Sequence, residues 1–193
     1  MMLAAVIARV YRRLHWYACL WRGKVMQLAI RTAGGQCGRR IAVERGVHLR
    51  QWPSSSWDIG DGVYFGVGVI IDADRTARLN IGANSKVMHY SVIGSVENVS
   101  IGESVQIAEH CTIRDQNHDT STGSMVTNRP VSAPLHVGSG TWIGRGSAIL
   151  KGTKIGRGAV VGANSVVNSV IDDYAIVVGA PARQIGSRDR GAS

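Results

Sequence analysis

Six histidines and three cysteines are the side chains of this 193-residue chain best suited to nucleophilic, acid–base or metal chemistry. Cys19, Cys37 and Cys111 are odd in number and widely spaced, with no CxxC. That usage suits a reduced cytoplasm rather than a secreted disulfide framework, and none reads as a metal ligand. No GxSxG elbow offers a serine nucleophile. His118 has a distinctive setting. It ends the run Asp115-Gln116-Asn117-His118, and the longest break in an otherwise periodic sequence, residues 119–136, follows directly. An imidazole with an ordinary pKa of about 6.5 can accept the proton of a hydroxyl as that hydroxyl attacks. The competing reading is a solvent-facing histidine at a corner. The other five, His15, His48, His89, His110 and His136, read as surface positions, with His89 or His110 able to line a cleft.

The element that positions His118 is set by a period of six. Large apolar residues recur as the triplets Ile59, Phe65, Ile71; Ile81, Val87, Ile93; Ile101, Ile107, Ile113; Val137, Ile143, Ile149; and Ile155, Val161, Val167. Four positions further on in each hexad the residue is often small: Ser85, Ser91, Cys111, Thr141, Ser147, Thr153, Ala159, Ser165. Large and small side chains can then fill a narrow core together, with Cys111 as filler. Three hexads make an 18-residue coil. Insertions at 77–80, 99–100 and 119–136 fall between coils. Extending the register backwards predicts a leading, less regular coil on Ile41, Val47 and Pro53, as expected of a capping repeat. Six coils at about 4.8 Å each give a prism roughly 29 Å long. The absence of strands alternating with helical patterns excludes a Rossmann or barrel enzyme.

This periodicity is the hexapeptide-repeat signature, and residues 41–186 resemble the left-handed parallel β-helix acyltransferases. The expected fold is therefore all-β, a left-handed parallel β-helix with an N-terminal amphipathic α-helix. Residues 1–35 form the helix, 36–176 the catalytic β-helix with its loop at 119–136, and 177–193 a tail. Within that family the chain resembles the sugar O-acetyltransferases of polysaccharide and lipopolysaccharide synthesis, of the colanic acid type. The resemblance rests on the stretch before the loop, Arg129-Pro130 at its end, Val137-Gly138-Ser139-Gly140-Thr141-Trp142-Ile143-Gly144, Gly162-Ala163-Asn164-Ser165, and Gly179-Ala180-Pro181-Ala182-Arg183.

The resemblance implies direct acetyl transfer from acetyl-coenzyme A to a sugar or glycan hydroxyl in a homotrimer, with His118 as general base and no metal. It further implies a carboxylate or a backbone carbonyl holding the imidazole, with Asp115 the nearest candidate and Glu109 another, and Asn117 belongs to the same motif. For the acyl donor it implies Trp142, Gly144, Arg145 and Ala163 along the pantetheine arm. Asn168 and Ser169 stand where relatives have Thr-Lys at the nucleotide, and Arg183 remains as a cation for phosphate. Arg145 replaces a commoner small residue. Lys151, Lys154 and Arg157 are candidates to replace the missing lysine, or else form a solvated basic edge.

The charge is local. Residues 1–50 hold ten Lys and Arg against one acid, Glu44, while the remaining twelve bases and twelve acids balance. Leu3, Ile7, Val10, Leu14, Tyr17, Trp21 and Leu28 make one helical apolar stripe, with Val25 beside it, and Gly34-Gly35 marks its stop. Arg9, Arg12, Arg13, Lys24 and Arg31 lie mostly on one flank. Two readings are open: contact with an anionic membrane surface through residues 1–35, or packing on the chain's own coils or a neighbouring subunit. No apolar run is long enough to span a bilayer, and the start lacks the features of a secretory signal. The expected location is cytoplasmic, with the inner membrane face as a peripheral site. Nucleic acid is disfavoured by the neutral coils and the lack of a binding motif.

Rival functions are fewer. A zinc carbonic anhydrase on the same fold needs closely paired histidines, whereas the nearest pair here, His110 and His118, is eight residues apart. A serine acetyltransferase would carry a longer helical N-terminal domain and a His-Leu-Gly-Gly run, both absent. A xenobiotic acceptor shares these motifs. A non-catalytic, membrane-associated trimeric scaffold is the alternative from a different class. In the loop, Thr120, Ser121, Thr122, Ser124 and Asn128 suit a hydroxylated acceptor generally.

Overall fold

In the computed structural model, which describes residues 2–119 and 130–188, the hexads wind into a parallel β-helix of three faces. The faces are sheets of seven, eight and six strands. Successive coils pair in parallel, and the final strand, Arg183–Ser187, turns back antiparallel on Ala175–Val178. The register follows the hexads: Ile59 stands over Ile81, then Ile101, Val137 and Ile155. All fifteen large hexad residues are at most 1% exposed. Each contributes about 1.5–3 kcal/mol relative to an exposed position.

The small hexad residues are buried with them, and their hydroxyls are satisfied by carbonyls of adjacent coils. Ser85 bonds Gly102 O at 2.8 Å and Ser91 bonds Ala108 O at 2.9 Å. Cys111 is a core filler whose thiol lies 3.2 Å from Gly144 O, and burial pushes its pKa up. Two corners of each coil require left-handed backbone. One such column runs Gly46, Gly68, Tyr90, His110, Gly146, Asn164, all at positive φ. Gly and Asn adopt that region most readily. Tyr90 and His110 also occupy it, with their rings stacked at 5.3 Å.

The leading coil differs from the expected register. Its hexad positions are Cys37, Val43 and Leu49, paired with Ile59, Phe65 and Ile71, and Ile41, Val47 and Pro53 stand four positions after them, where Ile41 and Pro53 are buried too and Val47 packs against the core. The reason is an extended corner at 50–56, the counterpart of the one at 74–77, which shifts the hexad count before Trp57. Trp57, Leu79, Val99 and Leu135, each two positions before a hexad residue, point inward as well and are at most 1% exposed.

The one helix among the described residues, α1 (Met2–Thr32), closes the end of the prism where the leading coil has no coil beneath it. Cys19, Met26 and Ile30 enter the core. Gly23 lies so close to Ile41 that a Cβ would fall 1.8 Å from its carbonyl oxygen. Arg22 donates to Val43 O at 3.3 Å, Arg31 to Cys37 O at 2.7 Å, and Gln27 to Gly38 O. A helix covering an open strand edge removes the edge as a pairing site. α1 ends in a Schellman cap: Gly35 N–H bonds Ile30 O at 2.9 Å, Gly34 N–H bonds Arg31 O at 3.0 Å, and Gly34 has φ 85°.

The face that packs is not the predicted stripe. Ile7, Val10, Leu14, Tyr17, Trp21, Val25 and Leu28 are 50–68% exposed, and they lie on the side of α1 opposite Cys19, Gly23, Met26 and Ile30. The helix does pack on its own coils, through that opposite side, and among the described residues the stripe stays uncovered. The side chain of Leu3 lies outside the described ones.

Candidate functional site

His118 ends the short strand Gln116–His118, which leaves the third face after Thr112–Arg114 and pairs antiparallel with Pro130–Ser132. His118 stands opposite Pro130, so both ends of the excursion are zipped together at its base. Of the predicted loop, residues 120–129, and with them Thr120, Ser121, Thr122, Ser124, Asn128 and Arg129, lie outside the described residues. The imidazole is exposed. It lines a cavity of about 370 Å³ with Arg114, Gln116, Asn117 and Pro130. Asn117 Oδ1 accepts the His118 backbone N–H at 3.1 Å, which fixes the strand end.

Asp115 does not hold the imidazole. It is fully buried, and its carboxylate accepts the N–H groups of Val96, Glu97 and Asn98 and the Ser95 hydroxyl at 2.7–3.2 Å. Its backbone oxygen also accepts Ala133 N–H at 2.9 Å on the returning chain. Asp115 therefore pins the corner from which the His118 hairpin springs. Period two explains the difference: Ile113 and Asp115 turn inward, whereas Arg114 and Gln116 turn outward. Glu109 lies one corner away, over Arg145.

Arg114 is the member of this cavity that sequence reading missed. It lies 3.9 Å from Asp72, and Gly94 beneath it leaves room for its side chain, since a Cβ there would stand 3.0 Å from Arg114 Cγ. The available signal was its position four residues before His118 in an alternating run.

The residues expected at the acyl donor divide between two edges. Trp142 is 54% exposed on the second face and pairs with Val160. Gly144 follows it and packs under the next coil, where a Cβ would come within 2.7 Å of Ala163 N. Arg145 and Ala163 are exposed at the same corner, with Asn164 N–H bonded to Arg145 O at 2.8 Å. Arg183 caps this column through its pairing with Val178, and its side chain reaches Ala182 O at 2.9 Å. Asn168 and Ser169 are exposed elsewhere, at the third-face corner two coils beyond Arg114. One chain thus places His118, Asn117, Asn168 and Ser169 on one edge of the prism, and Trp142, Gly144, Arg145, Ala163 and Arg183 on another.

The remaining candidates are accounted for locally. Arg157 pairs with Asp173 at 3.1 Å and lies over Tyr174, while Lys151 and Lys154 make no ion pair among the described residues. His89 Nδ1 accepts Val67 N–H at 2.9 Å. His15, Cys19 and Glu44 are the described set near enough to hold an ion, their ligand atoms within 4.8 Å. Here they form a latch for α1. Glu44 accepts from His15 at 2.9 Å and from Tyr64 at 3.0 Å, and Arg22 sits 3.8 Å from the Cys19 sulfur. Burial, then Glu44, pushes the Cys19 thiol up, which keeps it protonated. For Glu44, burial acts to raise the pKa, but the hydrogen bonds from His15 and Tyr64 outweigh it and hold the carboxyl below its ordinary value.

A family model described as bacterial transferase hexapeptide (six repeats) matches residues 134–169. The chain is 35% identical over 151 residues to the probable acetyltransferase Rv3034c of Mycobacterium tuberculosis (strain ATCC 25618 / H37Rv), covering 77% of this chain and 50% of that protein. It therefore spans half the length of that relative. It is 34% identical over 143 residues to the putative lipopolysaccharide biosynthesis O-acetyl transferase WbbJ of Escherichia coli (strain K12), covering 67% and 71%. The fold is shared with AntD, an N-acyltransferase from Bacillus cereus solved with dTDP and 3-hydroxybutyryl-CoA, at TM-score 0.73, 22% identity, and 85% and 89% coverage. It is also shared with the hexapeptide-repeat acetyltransferase VCA0836 from Vibrio cholerae, at TM-score 0.61, 22% identity, and 87% and 80% coverage.

Proposed function

The chain belongs to the hexapeptide-repeat transferase family, and on that premise we propose that it is an acetyl-coenzyme A-dependent O-acetyltransferase acting on a sugar. The acceptor is a nucleotide sugar or a glycan of surface polysaccharide synthesis. The observation that carries this reading is the exposed His118 imidazole at the mouth of the Arg114–Pro130 cavity. His118 accepts the proton of the acceptor hydroxyl as its oxygen attacks the thioester carbonyl, and returns that proton to the departing thiolate. Attack is direct, because the buried Cys111 has its thiol bonded into the core and its pKa raised.

The residues of the second edge fit the co-substrate. Trp142 presents an exposed flat ring, Ala163 a small exposed side chain at the neighbouring corner, and Arg145 and Arg183 supply cations for phosphates. Because those groups and His118 occupy different edges of one prism, the site joins the His118 edge of one copy to the Trp142 edge of the next, in a homotrimer. Residues 1–35 complete the reading as the part facing an anionic membrane surface, which puts the enzyme peripherally at the inner face.

An oxygen acceptor is favoured over nitrogen because the relative at 34% identity is described as an O-acetyl transferase, whereas the N-acyltransferase neighbour stands at 22%. The test is mass spectrometry of nucleotide sugars and glycans after incubation with enzyme and acetyl-coenzyme A. An added acetyl group removed by mild alkali supports the ester. An alkali-stable product assigns an amine acceptor, and no product under any donor overturns the reading.

A further inference from the structure

The outward stripe of α1 has no cover within the described chain. It runs on into the leading coil, where Trp52, 64% exposed, faces Trp21 and Val25 across a groove of about 350 Å³. Every described side chain from residue 4 to 17 is exposed, so the first turns of α1 stand clear of the coils. A half-helix of that composition does not hold itself in water by propensity alone. Apolar surface of this extent marks an interaction site.

Charge identifies the occupant. Residues 1–35 contain six Lys and Arg and no acid. On a helical wheel Arg9, Arg13 and Lys24 form a row along one flank of the stripe, and Tyr17 and Trp21 lie within it. A second copy set against this face would bring like charge against like charge. A bilayer with anionic headgroups offers opposite charge to the flank, acyl boundary to the stripe and an interface to the aromatic rings. Among the described residues no helix is long and apolar enough to cross a membrane, and the amphipathic stripe of α1 suits a helix lying in the plane of the interface.

We infer that α1 and Trp52 form a foot that docks the protein on an anionic phospholipid surface with the leading coil toward the lipid. α1 is fixed to that coil by the Arg22, Gln27 and Arg31 bonds and the Glu44 latch, so docking orients the whole prism. His118 follows the fourth coil, three strand spacings or about 14 Å along the axis. Resting on the trimer and acetyl-transfer reading above, this height suits an acceptor carried at the bilayer surface, and three coplanar feet bind with avidity.

The test sediments the full chain with vesicles of phosphatidylglycerol and phosphatidylcholine, and with phosphatidylcholine alone. Binding to the first, weakened at least tenfold on the second or in high salt and accompanied by a blue shift of tryptophan emission, is expected. Leu14→Glu with Trp21→Glu lowers vesicle partition at least tenfold while helicity, oligomeric mass and acetyl transfer to a soluble acceptor are kept. Wild-type chain that stays in the supernatant, or a variant that sediments like it, overturns the foot. A variant that loses its oligomeric mass also overturns it, and assigns the stripe to a contact between copies. Vesicle binding is read without any acetyl transfer, so a chain that docks but transfers nothing breaks the catalytic reading alone.

Discussion

The hexad residues of the β-helix and the stripe of α1 are equally apolar and equally periodic, yet the first are at most 1% exposed and the second 50–68%. In the coils, period six returns each side chain to the same axis, where the next coil covers it. In α1, the helical period gathers apolar residues on the side away from the coil surface on which the helix rests. Cys19, Gly23, Met26 and Ile30 make the contact instead, because a glycine and small or slender side chains let the helix approach the end coil closely. Periodicity therefore names a face, and only the partner surface decides whether that face is core.

The contrast is broken most severely from the coil side. Phe65→Ala, at a fully buried hexad position, is expected to cost about 3–5 kcal/mol in urea unfolding. A loss under about 1 kcal/mol would mean that the coils are not the cooperative core. Next in size is Asp115→Ala, which strips four donors of their acceptor in a buried corner and is expected to cost about 2–4 kcal/mol. It should lower acetyl transfer through a displaced hairpin, without moving the pH profile of the reaction. A profile shifted by Asp115→Asn would instead restore a direct Asp115–His118 link.

A smaller effect joins the two regions. Glu44 has a pKa held below its ordinary 4.5, so its contribution to stability is complete above that value and is lost as pH falls through its lowered pKa. The difference in thermal midpoint between wild type and Glu44→Gln should accordingly be constant near neutrality and shrink below pH 4.5. A difference that persists undiminished in acid would show that the latch does not depend on the carboxylate. Smallest is Leu14→Ser on the stripe, expected within about 0.5 kcal/mol of wild type in thermal unfolding. A larger loss would place Leu14 in a folded contact and erase the contrast.

Much of the fold was legible because fifteen hexad residues and eight small partners all report the same inward direction. The register of the leading coil escapes the hexad count, because the corner at 50–56 carries no hexad signal and Trp57 stands two residues outside the pattern. At the site, the place of His118 followed from the motif and the break after it. Nearness in sequence points to Asp115 as the partner of His118, whereas alternation along the strand sends it inward and Arg114 outward. The separation of His118 from Trp142 and Arg183 is a property of which corner each occupies. It becomes visible only once the coils are stacked.

That separation supplies the most direct test. A chain carrying His118→Ala and a chain carrying Trp142→Ala with Arg183→Glu, each inactive alone, would be co-expressed and purified as mixed oligomers, and acetyl transfer measured. A site built across copies leaves intact pairings in the mixture and restores about one quarter of wild-type activity by random assembly. Activity no greater than that of either variant alone would contradict a shared site and, with it, this account of how the prism does its chemistry.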